Sequence, residues 1–138
     1  MEPVIQQEPT GCGIASVAAL AGRSYYEVQF IAQTLGISAR DPRLWSDPQP
    51  VRRLLEYFGM RADLPEIPFR SWASLPDRAL LAIKWHLENG TPCWHWAVFV
   101  REDGRSAVLD SNSRLRSHRR TDFGRMKPRW YIPITDRP

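Results

Sequence analysis

Hydrophobic positions recur at spacings of three and four through the first sixty residues, and the period shortens towards two after that. Ile14, Val17, Ala18 and Ala21 fall on one side of a helix predicted over 12–21, and Gly22 suits the left-handed position just beyond it. Ser24-Tyr25-Tyr26-Glu27 has the spacing of a capping box, which opens a second helix whose Val28, Ile31, Ala32 and Leu35 share a face before Gly36. Asp47 is placed to cap a third helix and Pro48 fits its first turn. Val51, Leu54, Leu55 and Phe58 form its stripe up to Gly59. Residues 79–86, 93–100, 106–110 and 130–134 are rich in Val, Ile, Trp, Phe and Leu and read as strands, with Asn89-Gly90 and Asp103-Gly104 as two-residue turns between the first three. Segments 37–46 and 60–78 read as loops. Helices first and antiparallel strands afterwards predict an α+β fold. The length of 138 residues suits one packed domain over 1–138.

The Asp103-Gly104 turn also predicts a register. Counting back from a two-residue turn, His95 faces Asn112 and Ala97 faces Asp110, so all four side chains project to one side of the sheet. His95 and Asp110 then become diagonal neighbours, about 7 to 8 Å apart at the backbone and within side-chain reach.

Cys12 stands at the foot of the first predicted helix, where unpaired amides and the helix dipole favour a thiolate, and this makes it a candidate nucleophile. The chain order is then Cys12, His95, Asp110. Taken alone, a buried cysteine is most often a small hydrophobe and a strand histidine most often structural. Order and register together raise both above that reading. His86 and His118 lack the carboxylate placement that His95 has. Cys93, two residues before His95, shares its face of the strand, and a reversible Cys12–Cys93 disulfide is one expectation to test. Trp94 and Trp45 are candidates to line a subsite.

Composition narrows the picture further. A hydrophobic fraction of 43% with 25% charged residues fits a globular protein, and no apolar run is long enough to span a bilayer. The start Met1-Glu2-Pro3-Val4 lacks the features of a secretory signal, so the expected location is cytoplasmic. Two cysteines without Cys-x-x-Cys spacing imply neither a disulfide framework nor a metal site, and no cofactor is expected. The formal charge of +4 is uneven, with −1 over residues 1–100 and +5 over 101–138. Within the basic stretch Arg114-Leu115-Arg116-Ser117-His118-Arg119-Arg120 aromatic residues are sparse, which favours a solvated face over a nucleic-acid site. The stretch could also draw acidic peptides towards a groove.

Gln6 lies six residues before the thiol. Together with the Cys12-Gly13-Ile14-Ala15-Ser16 helix start, the His95-Trp96-Ala97-Val98 strand and Asp110-Ser111, it resembles the papain-like cysteine peptidases. The resemblance is to the bacteriocin-processing branch, which removes double-glycine leaders and is often fused to export transporters. It implies a papain-like fold, with N-terminal helices packed on a C-terminal antiparallel sheet and the site in the groove between them. It also implies Cys12 as nucleophile, His95 as general base and then acid, Asp110 orienting the imidazole, and Gln6 completing an oxyanion hole with the Cys12 amide. The substrate would be a peptide or small protein. No Gly-rich phosphate loop with a following Lys-Ser or Lys-Thr is present, so the chain is expected to act alone or with a separate export or partner protein.

Three activities compete at this stage. The leading one is peptide-bond hydrolysis through an acyl-enzyme, and isopeptide cleavage or acyl transfer to an amine differ from it only in the acceptor. The second is a catalytically silent peptide- or partner-binding module with a peptidase-like groove. The third, nucleic-acid binding through the basic stretch, ranks last.

Overall fold

The computed structural model describes residues 1–61 and 63–136. Three helices, α1 (Cys12–Ala21), α2 (Tyr25–Thr34) and α3 (Gln49–Tyr57), precede the six strands of one antiparallel sheet. The strands are β1 (Ile67–Pro68), β2 (Arg78–Glu88), β3 (Thr91–Glu102), β4 (Arg105–Leu109), β5 (Arg119–Arg120) and β6 (Trp130–Pro133). Their order across the sheet is β1-β6-β2-β3-β4-β5, and the fold is α+β as predicted.

The start and stop signals act through the expected contacts. The Ser24 hydroxyl accepts the Glu27 amide at 3.1 Å, and an Asp47 carboxylate oxygen accepts the Gln49 amide at 2.9 Å. Gly22 closes α1 at φ 67°. Asn89 and Gly90, like Asp103 and Gly104, all have positive φ, as the turn that matches strand twist requires.

α1 departs from the predicted stripe, because residues 12–20 are all buried. Its small residues allow this close approach. A Cβ on Gly13 would lie 3.0 Å from Val51 Cγ2 on α3 and 3.2 Å from the Trp96 ring on β3. Helix and sheet share a core in which Ile14, Val17 and Ala18 meet Leu54, Leu55, Trp96 and Val98. The opposite face of the sheet is buried as well. Ala79, Leu81, Ala97, Phe99 and Val108 pack there under Trp72, Phe69 and Phe123. The segment read only as the loop 60–78 therefore supplies β1 and part of a second covering layer. Arg101 ties that layer down by donating to the Leu75 carbonyl at 2.9 Å. Segment 37–46 carries the 3₁₀ turn Pro42–Trp45, whose Leu44 carbonyl accepts the Trp96 indole N–H at 2.6 Å.

Two irregularities shape the sheet around His95. The β3–β4 ladder keeps the register set by Asp103-Gly104 but stops at Val98↔Leu109. The expected pairs His95–Asn112 and Ala97–Asp110 do not form, because other groups take the backbone positions they would use. The Gln6 amide donates to the Ser111 carbonyl at 3.0 Å, and the Trp96 amide donates to Cys12 Sγ at 3.5 Å. On the other side of β3, Ile83 pairs with His95 and His86 with Cys93, so Lys84 and Trp85 bulge opposite Trp94 alone. Among the described residues no helix is long and apolar enough to cross a membrane.

Candidate active site

The gap left where β4 ends is filled by the foot of α1 and the segment before it, and this brings Cys12 beside β3. Gly11 precedes the helix, and no side chain caps the first amides of α1. Those amides are donors without intrahelical partners, and the positive end of the helix dipole lies among them. Cys12 is 5% exposed.

His95 lies on β3, and its Nε2–H donates to Asp110 Oδ1 at 2.8 Å. The carboxylate thereby fixes which ring nitrogen carries the proton and leaves Nδ1 as the nitrogen free for the thiol. Burial disfavours the charged imidazole, but the Asp110 carboxylate and the Cys12 side chain, each as hydrogen-bond partner and as charge, outweigh it. The result is a pKa raised to about 9. His95 thus interacts with Asp110 through Nε2 and with the Cys12 side chain as a further neighbour.

Asp110 follows directly after β4 and is fully buried. A buried carboxylate needs compensation, and this one has three donors. They are the His95 ring, the Asn112 amide at 3.1 Å and Arg120 Nη1 at 2.9 Å to Oδ2. Burial pushes its pKa upward, yet His95, Asn112 and Arg120 hold it well below the usual carboxylate range. Arg120 also clasps Asp122, through Nε at 3.0 Å and Nη2 at 2.7 Å, and its own pKa is raised by these partners.

The basic stretch is thus not a continuous solvated face. Arg119 and Arg120 form β5, Arg119 donates to the Met1 carbonyl, and Arg120 acts as the counter-ion behind Asp110. That role was missed in the sequence. The available signal was an acidic residue expected in a buried strand, which calls for a cation nearby.

Gln6 joins the same region. Its backbone and side chain both meet Ser111, whose hydroxyl donates to Gln6 Oε1 at 2.8 Å. The side-chain amide donates to the carbonyls of Glu8 at 2.9 Å and Pro9 at 3.0 Å. An oxyanion arriving at the site has to displace one of these carbonyls to receive a Gln6 hydrogen. Gln6, Glu8, Pro9, His95, Asn112 and Arg114 line a cleft of about 550 Å³. Its size suits a few residues of an extended peptide.

Behind this cleft Glu8 accepts the Tyr25 hydroxyl at 2.7 Å and the Gln29 amide at 2.6 Å, so the segment leading to Cys12 is moored to α2. A Cβ on Gly11 would lie 2.1 Å from the Tyr25 oxygen. Gly11→Ala is therefore expected to force Tyr25 off Glu8 and destabilise the protein by about 1 to 3 kcal/mol. Urea unfolding measures this, and an unchanged midpoint would refute the contact.

The other candidates separate from the triad. Both cysteines are free. Cys93 faces the Thr91 carbonyl at 3.6 Å and the side chains of His86 and Glu88, whereas Cys12 faces Trp96 and His95. Burial and the nearby Glu88 carboxylate hold the Cys93 thiol above its ordinary pKa. His86 binds the Lys84 carbonyl and Glu88, and His118 binds the Asn112 carbonyl. Trp94 packs edge-on against Trp96 and Trp130 in the core, which removes it as a subsite residue. Trp45 is half-buried against the same core.

The arrangement supplies a thiol, a base hydrogen-bonded to a buried acid, and a set of uncapped helix amides beside a cleft. Comparison with known protein families finds no family model that matches this chain, and comparison with curated proteins finds no match.

Proposed function

We propose that this protein is a cysteine peptidase of papain-like type that cleaves a peptide bond through a Cys12 acyl-enzyme. The observation that carries the reading is the imidazole of His95 held by its Nε2–H at 2.8 Å from a fully buried carboxylate, on the strand whose next amide, that of Trp96, donates to Cys12 Sγ at 3.5 Å. In this mechanism the thiol proton rests on His95 Nδ1, and the sulfur attacks the substrate carbonyl carbon as the thiolate of that ion pair. Charge moves to the carbonyl oxygen, where the Cys12 amide and Gln6 are the candidate donors. The C–N bond then breaks, and His95 returns the proton to the departing amine. Water, deprotonated by the same imidazole, attacks the thioester, and the acid product leaves with Cys12 restored as a thiol. An amine in place of water would give acyl transfer at the same centre. A leader peptide is the substrate suggested by the sequence resemblance, with a separate export or partner protein alongside.

Gln6→Ala is expected to lower kcat by about 10²- to 10³-fold with KM changed far less, because an oxyanion donor acts chiefly on the transition state. Steady-state kinetics on a cleaved peptide give this split. An unchanged kcat would assign the oxyanion to the α1 amides alone.

The second reading, a silent peptide-binding module, draws on the engagement of both Gln6 amide hydrogens by Glu8 and Pro9 and on the low exposure of Cys12. Mapping of peptide products from a denatured proteome digest separates the two. The peptidase reading expects new termini that are absent with Cys12→Ala. The module reading expects retention of peptides without new termini from either protein.

A further inference from the structure

The β2–β6 ladder ends at Ala82↔Trp130, and immediately beyond it β2 makes the bulge at Lys84 and Trp85. Lys84 adopts a left-handed φ of 53° there, a conformation uncommon for a residue other than glycine, asparagine or aspartate. Bulges redirect side chains. With residues 125–129 this one encloses a groove of about 460 Å³, lined by the cations Lys84, Arg120, Arg125, Lys127 and Arg129 and by no acidic residue.

Among the described residues, Arg120 is the one cation of the five held in an ion pair, with Asp110 and Asp122. Arg125 also acts on Asp122 at longer range. Lys84, Lys127 and Arg129 line the groove and have no ion-pair partner among the described residues, so like charges converge where part of the surrounding wall is protein rather than water. Such a groove concentrates negative charge. Arg129 is held in place by its guanidinium stacked 4.0 Å from the Trp85 ring centroid, so its charge is oriented before any ligand arrives.

The groove adjoins the triad. Ile83 in its wall is the direct cross-strand partner of His95, and Arg120 in its wall donates to Asp110. We infer that this groove is an acidic subsite that takes Asp or Glu carboxylates of the polypeptide whose bond lies at Cys12. The inference rests on the peptidase reading for the identity of its ligand. RNA is the less fitting occupant. Trp85, the aromatic of the groove, packs against the core and already carries Arg129, which leaves no platform for base stacking.

The test is fluorescence anisotropy with the full chain carrying Cys12→Ala, so that binding is read without turnover. The probes are a labelled Glu-rich octapeptide, its Gln counterpart and a single-stranded RNA decamer, at moderate and high salt. The Glu peptide is expected to bind about tenfold more tightly than the Gln peptide, with the difference shrinking as salt rises. Adding Lys84→Gln, Arg125→Gln and Lys127→Gln should bring the Glu peptide to the Gln level, whereas Arg105→Gln with Arg116→Gln, exposed residues that line neither this groove nor the cleft at His95, should leave the preference in place. If the triple variant unfolds at the bulge, Arg125→Gln with Lys127→Gln gives the same reading on residues outside it. Equal binding of the two peptides, a preference that survives these substitutions, or RNA outcompeting the Glu peptide would overturn the subsite. Loss of the peptidase reading would appear separately, as an intact Cys12 protein that binds the Glu peptide and never cleaves it.

Discussion

Replacing Cys12 with alanine is expected to reduce turnover by at least about 10⁴-fold, since removal of a covalent nucleophile leaves only binding and oxyanion stabilisation. The same change should barely disturb the fold. The side chain packs between α1 and β3, and its sulfur accepts one long hydrogen bond from the Trp96 amide. Losing both is worth about 1 kcal/mol, or a few degrees in Tm for a chain of this size. The alanine variant should also titrate His95 at lower pH, because the Cys12 side chain is among the causes that raise its pKa to about 9. Peptide turnover, thermal melting and NMR titration of the imidazole read these three effects. Substantial activity in a folded Cys12→Ala protein would remove the thiol from the chemistry.

The largest effect on stability is expected from Asp110→Ala. This change leaves the His95 Nε2–H and the Asn112 amide without their acceptor and reduces Arg120 to its contact with Asp122. Breaking a buried ion pair from one side costs about 3 to 5 kcal/mol, so the variant should melt far below the wild type. Any folded fraction should turn over substrate about 10²- to 10⁴-fold more slowly, because the imidazole loses its orientation.

The pH dependence of the wild type follows from the two shifts. The folded pKa of Asp110 is depressed, so its stabilisation is full above the unfolded value near ~3.9 and is lost as pH falls through the folded value. The folded pKa of His95 is raised, so its stabilisation is full below ~6.5 and is lost as pH rises through about 9. Wild-type stability is therefore expected to be greatest between about pH 4.5 and 6.5. Asp110→Ala should abolish the acid limb due to residue 110 and weaken the alkaline limb. Urea unfolding at pH 3, 5.5 and 9 checks both limbs, and a variant as stable as wild type at pH 5.5 would contradict the buried network.

Local chemistry was legible wherever one short stretch decided the outcome. The Ser24–Glu27 cap, the Gly22 stop and the two hairpin turns all act through neighbours within a few residues, and the Asp103-Gly104 turn alone fixed the β3–β4 register. That register put His95 and Asp110 on one face, where they meet at 2.8 Å. The early end of the ladder was not legible, because it depends on Gln6 and Cys12 arriving from more than eighty residues away. Arg120 was hidden for a similar reason. In sequence it belongs to a run of basic residues, and only the pairing of β5 with β4 brings it to Asp110. The segment 60–78 carried no periodic signal, since it covers the sheet with scattered aromatics such as Phe69 and Trp72 rather than with a regular face.

Activation of Cys12 by His95 is read by site-resolved alkylation with a small electrophile such as iodoacetamide, followed by peptide mass mapping. Cys93 serves as the internal reference, with its thiol pKa held up by burial and Glu88. Cys12 is expected to be modified first in the native protein, and His95→Ala is expected to slow its modification by at least about tenfold while leaving the Cys93 rate unchanged. Equal labelling of the two cysteines, or a Cys12 rate indifferent to His95→Ala, would contradict this activation.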